Sequence, residues 1–370
     1  MSIYELVMDE FEYLAEMREK QTFPLHLHWD GSIPAKDIFN LAQQRGETLY
    51  LPDKDKDGRR IHYDSPQDKV IDSPEMLEKF FHDLRDYQMV DVFGKVTQFM
   101  QTDDDLKATA LALCSYLKEQ NSPYAEVRFA PFYHTFGGMS MEDVIRSAVA
   151  GFKAGKKLTG VDARLIICIN REATPEDGVK IADAAIAVNR EYPDMVLGID
   201  LACEESLKNP PEKHLAAFKR TFNTPLKRTV HAGEMCDEVT NLNYIRTALY
   251  DLRAHAISHA VPLHKDEAII KYVVKNRIRL ESNPICNWFF FDKSVHDDLR
   301  LDKLLAKGVL VTINPDDPAM IPRGHTVDNL ALMARLYGRG IVDQLIANSI
   351  ESAWGLDDVQ KKNYLSRLDL

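Results

Sequence analysis

Two histidines near the N-terminus are the first residues whose type and spacing could do chemistry; they lie in the segment FPLHLHWDGS at 23–32. Side chains alternate between the two faces of a β-strand, so His26 and His28 point to the same side and can bind one metal ion. Asp30 continues that face. Histidines at this spacing also occur in half-buried strands, where each imidazole is simply hydrogen-bonded. The pair alone therefore leaves both a metal site and a structural role open.

The residues that follow predict a sharp turn into a helix. Gly31 allows the backbone to turn, Ser32 is the predicted N-cap, and Pro34 suits the first turn of a helix over about 33–45. The histidines thus lie near the carboxyl end of a strand that leads directly into a helix. Both α/β barrels and open α/β sheets carry their functional side chains at such positions.

Further polar residues follow the ends of later predicted strands. These residues are His231, Glu234, His259, Asp316 and Asp317. In a barrel, the carboxyl ends of the strands converge at one end of the axis, so these side chains would meet the first pair there. Imidazoles together with a carboxylate suit a divalent transition metal, and the remaining groups can act as acids and bases. A dispersed set of this kind arises by chance far less readily than one histidine pair.

Eight strand-like segments alternate with helical segments along the chain. The strands are predicted at 23–30, 124–130, 163–169, 196–202, 228–231, 256–260, 278–282 and 309–314. Eight β/α units joined by right-handed crossovers predict an α/β fold of the (β/α)8 TIM-barrel type, with an open doubly wound sheet as the alternative. Additional helices are expected N-terminally over 1–20, in a long insertion between the first two strands, and C-terminally from Thr326. Without repeats or linkers, residues 1–370 are predicted to form one domain.

Composition narrows the class of partner. The 370 residues include 57 acidic and 46 basic ones, a net charge of -11, which disfavours nucleic acid and anionic membranes and favours a small neutral substrate. The five cysteines are scattered without a Cys-x-x-Cys pair, so neither a disulfide framework nor a sulfur-based zinc site is predicted.

The N-terminus lacks the pattern of a signal peptide, and no apolar run reaches membrane-spanning length. We therefore expect a cytoplasmic protein.

Several motifs resemble those of the adenosine/adenine deaminase family, within the amidohydrolase superfamily. The motifs are His26-Leu27-His28-Trp29-Asp30-Gly31, His231-Ala232-Gly233-Glu234, Ser258-His259 and Asn314-Pro315-Asp316-Asp317-Pro318, with 126–131 and 198–202 similar to its second and fourth strands. The resemblance runs from about residue 23 to the C-terminal helices, in the family's order. Asp30 is similar to the adenosine deaminase branch, because adenine deaminases carry Glu there.

The resemblance implies a zinc-dependent hydrolysis of adenosine, and of 2′-deoxyadenosine, to inosine and ammonia. One Zn²⁺ per subunit would be held by four residues, His26, His28, His231 and Asp316, and would lower the pKa of the water that attacks purine C6. His259 would be the general base toward that water. Glu234 would protonate a ring nitrogen of the purine.

The resemblance also implies the contacts to the substrate. Asp317 would take part in catalysis by bonding the edge of the purine opposite Glu234, and Asp30 would bond the ribose 5′-hydroxyl. His28 would face the substrate as well as the metal. The backbone N–H at Cys203 would approach the purine. The expected partner is thus a small purine nucleoside or base, and the sequence makes no prediction of oligomeric state.

The chain departs from the family's pattern on the side that faces the purine. Cys203 and Ala260 stand where the family usually has glycine, Ser258 replaces another glycine, and 280–284 lacks the usual Glu-x-Cys-Pro. These changes leave two alternatives open: a deaminase of adenine or another modified aminopurine, and a purine-binding protein without turnover. A binuclear hydrolase of the same barrel would need a bridging group, commonly a modified lysine, and 197–205 contains no lysine.

Overall fold

An eight-stranded parallel sheet forms the centre of the computed structural model, which describes residues 13–368. The strands are β1 Leu27–His28, β2 Tyr124–Phe129, β3 Asp162–Asn170, β4 Val196–Ala202, β5 Lys227–Ala232, β6 Ala256–His259, β7 Arg279–Ser282 and β8 Leu310–Ile313. Each strand pairs in parallel with the next one in the chain. Leu27 in β1 also bridges Asp316, just beyond β8, and so closes the sheet. The predicted (β/α)8 barrel is confirmed, and the open sheet is excluded.

Helices surround the barrel and extend it. Their bounds are α1 Leu14–Glu19, α2 Ala35–Arg45, α3 Pro74–His82, α4 Met89–Thr97, α5 Asp103–Glu119, α6 Met141–Thr159, α7 Pro175–Glu191, α8 Leu215–Thr221, α9 Glu238–Arg246, α10 Glu267–Lys275, α11 Pro284–Phe291, α12 Leu301–Ala306, α13 Thr326–Tyr337, α14 Gly340–Ser352 and α15 Asp358–Leu365. The three C-terminal helices occur as predicted. Helix α1 corresponds to the C-terminal part of the helix predicted over 1–20. Residues 1–12 of that predicted helix lie outside the described part of the chain.

The barrel core follows from strands that are buried on both faces and mostly apolar. All residues of β2 and β4 are buried, as expected for parallel strands covered by helices on one side and by the barrel interior on the other. In α3 the Ser73 hydroxyl caps the helix by accepting the backbone N–H of Met76 at 3.2 Å. Its apolar stripe, including Phe80 and Phe81, is buried in the same core.

The insertion between β1 and β2 contains a small antiparallel pair, Leu49–Tyr50 with Val70–Ile71, followed by α3, α4 and α5. Its first part, 46–72, is the polar, turn-rich excursion expected from the sequence. Within residues 13–368, no helix combines the length and apolar character needed to cross a membrane.

The N-cap residue of α2 differs from the predicted one. The N-cap position is Pro34, which makes no side-chain capping bond. The hydroxyl of Ser32 instead donates to the backbone carbonyl of His28. The predicted N-cap at Ser32 is therefore wrong, because its side chain closes the turn after β1 and the helix begins beyond it.

Candidate active site

Imidazole and carboxylate groups meet at the carboxyl ends of β1, β5, β6 and β8. His26 Nε2 lies 2.8 Å from Asp316 Oδ1, and His28 Nε2 lies 3.3 Å from His231 Nε2 and 3.5 Å from the same Asp316 oxygen. His259 joins them, since one ligand atom from each of His26, His231, His259 and Asp316 falls within a 4.8 Å group. The structure thus brings together the residues predicted to bind metal.

The protonation states of these groups fit a bound divalent metal. Burial lowers the pKa of both His28 and His231, so their imidazoles are neutral and present lone pairs. Burial alone would raise the pKa of Asp316, but His26 beside it holds that pKa well below its usual range, and the carboxylate stays ionised. Neutral imidazoles and an ionised carboxylate are the forms that ligate zinc, so the donor set fits a tetrahedral Zn²⁺.

A buried network of charged residues contacts the Nδ1 atoms of two of these histidines. His26 Nδ1 lies 3.3 Å from Glu281, and His231 Nδ1 donates to Asp200 at 3.2 Å. Arg128 joins the two carboxylates, donating to Asp200 at 2.7 Å and to Glu281 at 2.8 Å. Carboxylates in this position orient metal-binding histidines. Sequence reasoning assigned no role to this network, although charged residues within apolar strands were the available signal.

Glu234 and His259 form a neighbouring acid–base pair. Glu234 Oε1 lies 3.2 Å from His259 Nδ1. Burial, with added repulsion from Asp316, raises the pKa of Glu234 well above its usual value, so this carboxyl group is protonated and can donate. Burial lowers the pKa of His259 well below its usual value, so the imidazole is neutral and can accept a proton.

The side-chain amides of two asparagines contact the His259 ring. Asn287 Nδ2 lies 3.0 Å from Nδ1, and Asn283 Nδ2 lies 3.3 Å from Nε2. Asn283 belongs to the segment that departs from the family's Glu-x-Cys-Pro pattern. The departure therefore falls directly beside the proposed base, a contact that sequence reasoning did not anticipate.

Glu205 holds the loop that carries Glu234. Its carboxylate accepts the backbone N–H groups of Gly233 at 2.9 Å, Glu234 at 2.8 Å and Met235 at 3.2 Å. Three such bonds fix the loop's backbone and so the direction of the Glu234 side chain. Sequence reasoning missed Glu205, whose one available signal was its place just beyond the end of β4.

Asp317 lies against the turn after β1. A Cβ atom at Gly31 would approach Asp317 Oδ1 to 1.7 Å, so only glycine fits there. Asp317 is 8% exposed, and its Oδ1 makes no hydrogen bond among the described residues. Burial and the nearby Asp316 raise its pKa well above the usual value. Burial also raises the pKa of Asp30 to about 6.

Two of the residues that replace the family's glycines, Cys203 and Ala260, have left-handed backbone conformations. Cys203 has φ of 76° and Ala260 has φ of 45°, values that glycine adopts without cost. His259 and Asp316 also have positive φ, at 63° and 64°. The Cys203 side chain is exposed, with Sγ 4.0 Å from the Tyr133 hydroxyl. Strained backbone of this kind concentrates at functional sites.

The third departure, Ser258, is part of the charge network. Its hydroxyl donates to Glu281 at 2.7 Å and accepts from Arg128 at 3.2 Å. A glycine there would leave these bonds unmade. His255 contacts Arg228 at the opposite end of β6, away from the donor set.

The barrel has the fold of known amidohydrolases, and the family that the chain matches consists of hydrolases acting on C–N bonds. The chain belongs to the adenosine deaminase family, whose model matches residues 22–370.

Known proteins of similar sequence carry two different deaminase names. The chain is 28% identical over 347 residues to an adenosine deaminase of Clostridium acetobutylicum, covering 93% of this chain and 96% of that one. It is 30% identical over 350 residues to an adenine deaminase of Geotalea uraniireducens, covering 93% and 89%. A crystal structure of an amidohydrolase from Burkholderia ambifaria with bound Zn shares the fold, with a TM-score of 0.75 at 21% identity, covering 96% and 91% of the two chains.

Proposed function

We propose that this protein hydrolyses the 6-amino group of adenosine and 2′-deoxyadenosine, releasing inosine or 2′-deoxyinosine and ammonia. The observation that carries the proposal is the pairing of a protonated Glu234 with a neutral His259, 3.2 Å apart, beside the His26, His28, His231 and Asp316 donor set. An acid and a base at the edge of a metal site are the groups that addition of water to an aminopurine requires.

We further propose that His26, His28, His231 and Asp316 hold one Zn²⁺. When bound, the ion supplies a Lewis acid that brings the pKa of a water toward neutrality. The neutral imidazoles, the ionised carboxylate and the carboxylates behind His26 and His231 support this assignment. The bound Zn in the Burkholderia amidohydrolase agrees with it.

The chain's own residues then have separate tasks. Glu234 donates its proton to a purine ring nitrogen, which makes C6 electrophilic, and His259 accepts the proton of the attacking water. Asp317, with a buried oxygen that makes no other hydrogen bond among the described residues, bonds the opposite edge of the purine. Asp30 bonds the ribose 5′-hydroxyl, and the backbone N–H of Cys203 approaches the base. Collapse of the tetrahedral adduct expels ammonia.

Adenine or another modified aminopurine is the second candidate substrate. The observation that favours it is Cys203, which carries a side chain where the family usually has glycine. The adenine deaminase name of the Geotalea relative is consistent with this alternative. Asp30, by contrast, favours a nucleoside, because its carboxylate can bond a ribose hydroxyl that a free base lacks.

Ammonia release from a panel of substrates tests the proposal. Protein loaded with Zn²⁺ is assayed with adenosine, 2′-deoxyadenosine, adenine and N6-modified aminopurines, with product identity checked by chromatography. Turnover of the two nucleosides supports the main proposal. Turnover of another member alone keeps the chemistry and changes the substrate. Tight purine binding with bound zinc and no ammonia from any member identifies a binding protein and overturns the proposal.

A further inference from the structure

A buried cysteine lies beside the proposed acid and base without a role in the deamination. Cys286, in α11, is 3% exposed, and its sulfur lies within 4.8 Å of an Asp316 carboxylate oxygen. The ligand atoms of Cys286, Glu234, His259 and Asp316 all lie within 4.8 Å of one another. Sulfur, imidazole and carboxylate are together a donor set of the kind that binds zinc.

Asp316 can serve two ions at once because its two oxygens face different groups. Oδ1 lies 2.8 Å from His26 and 3.5 Å from His28, on the side of the first donor set. Oδ2 faces His259, with 3.7 Å between that oxygen and Nε2. One carboxylate can therefore contribute an oxygen to each of two neighbouring cation positions.

We propose that Cys286, Glu234, His259 and Asp316 form a second site, for a thiophilic divalent cation of the zinc and cadmium kind, and that its occupation inhibits the enzyme. Ligand atoms around a tetrahedral zinc lie roughly 3.5 Å apart, so the 4.8 Å group needs only small side-chain movements to close on an ion. The thiolate makes the site selective for soft ions over Mg²⁺ or Ca²⁺.

Binding at this site exchanges protons for the cation. The Cys286 thiol and the Glu234 carboxyl each lose a proton to the buffer, and the sulfur and oxygen lone pairs then bind the ion. No oxidation or reduction occurs. Inhibition rests on the proposed function, since the ion would occupy both Glu234, the proposed proton donor, and His259, the proposed base.

Cadmium is the probe because a cadmium–thiolate bond absorbs in the ultraviolet. Protein holding one equivalent of Zn²⁺ is titrated with Cd²⁺ while absorbance, bound zinc and bound cadmium, and ammonia release are measured. We expect the charge-transfer band to grow to one equivalent of cadmium with zinc retained, and turnover to fall in parallel. Cys286→Ser should lose the band and need about tenfold or more cadmium for half-inhibition of its own rate.

Cys203→Ser is the matched control, because Cys203 is the exposed thiol among the described cysteines and lies outside the four-residue group. It should keep both the band and the second equivalent of cadmium. Equal cadmium binding and an equal band in Cys286→Ser, or cadmium that merely replaces zinc in the wild type, would overturn the second site. Absorbance and metal content decide this even if no panel substrate is turned over, so failure of the site and failure of the proposed function are distinguishable.

Discussion

His28 and Asp316 contact each other through both backbone and side chain. The His28 N–H donates to the Asp316 carbonyl at 3.0 Å, and its imidazole Nε2 lies 3.5 Å from the Asp316 carboxylate. The first contact closes the barrel between β1 and the segment after β8, and the second unites donors from the two ends of the chain. The same pair of residues therefore closes the barrel and brings the metal-binding donors together, and a change that opened this seam would separate the donors.

Glu234→Gln tests the proposed proton donor. The amide keeps the size of the side chain but cannot supply the carboxyl proton, so we expect kcat to fall by about 10²- to 10⁴-fold. Zinc content should stay at the wild-type level, because Glu234 is outside the proposed ligand set. Ammonia release and elemental analysis measure the two effects, and full turnover in this variant would show that another group donates the proton.

Arg128→Met tests the charge network behind the histidines. The variant leaves the buried Asp200 carboxylate without its arginine partner and leaves Glu281 with Arg279 alone, which we expect to cost about 3–5 kcal/mol of unfolding free energy and to weaken zinc binding about 10- to 100-fold. Urea unfolding and metal titration measure these effects. Arg146→Met is the control, because its ion pair with Glu191 is on the surface, where such pairs contribute little to stability. Equal losses in the two variants would contradict the prediction.

Asp30→Asn tests the partly buried carboxyl at the turn after β1. Because burial raises the pKa of Asp30 to about 6, ionisation is harder in the folded state, and the wild type loses stability as the pH rises from about 4 to 6. The variant escapes that loss. We expect it to be more stable by about 1–2 kcal/mol at pH 7.5, with the difference shrinking toward pH 4.5.

Thermal unfolding at the two pH values measures this difference. The exposed Asp64→Asn should show no such pH dependence, and a constant difference between Asp30→Asn and the wild type would contradict the prediction. The same Asp30 variant should raise KM for adenosine but not for adenine, because only the nucleoside offers a ribose hydroxyl.

Cys203→Gly and Cys203→Ala separate backbone strain from side-chain bulk. Both variants remove the thiol, but only glycine accommodates φ of 76° without strain, so we expect the glycine variant to be more stable than the alanine variant by about 1 kcal/mol. If the side chain crowds the purine, KM for adenosine should be lowest in Cys203→Gly. Thermal unfolding and steady-state kinetics measure both, and an alanine variant that matched glycine in stability would rule out the strain.

The local sequence pattern was enough to predict the barrel and the positions of the polar residues at its candidate active site. The alternation in His26-Leu27-His28, the apolar strands and the helix-start signals are properties of a few neighbouring residues, and they predicted the strands to within a few residues. The Ser32 cap was wrong because a hydroxyl near a turn has two possible partners at similar sequence distance, and only the folded turn selects one.

The sequence by itself determined the eight β/α units and which polar side chains lie at the carboxyl ends of the strands. Only the tertiary structure decided that Arg128 joins Asp200 to Glu281, that Glu205 holds the Glu234 loop, and that Cys286 faces the same carboxylate as the histidines. The physical reason is that alternation specifies the face of a strand on which a side chain lies, whereas its partners come from distant strands and depend on closure and register of the whole barrel.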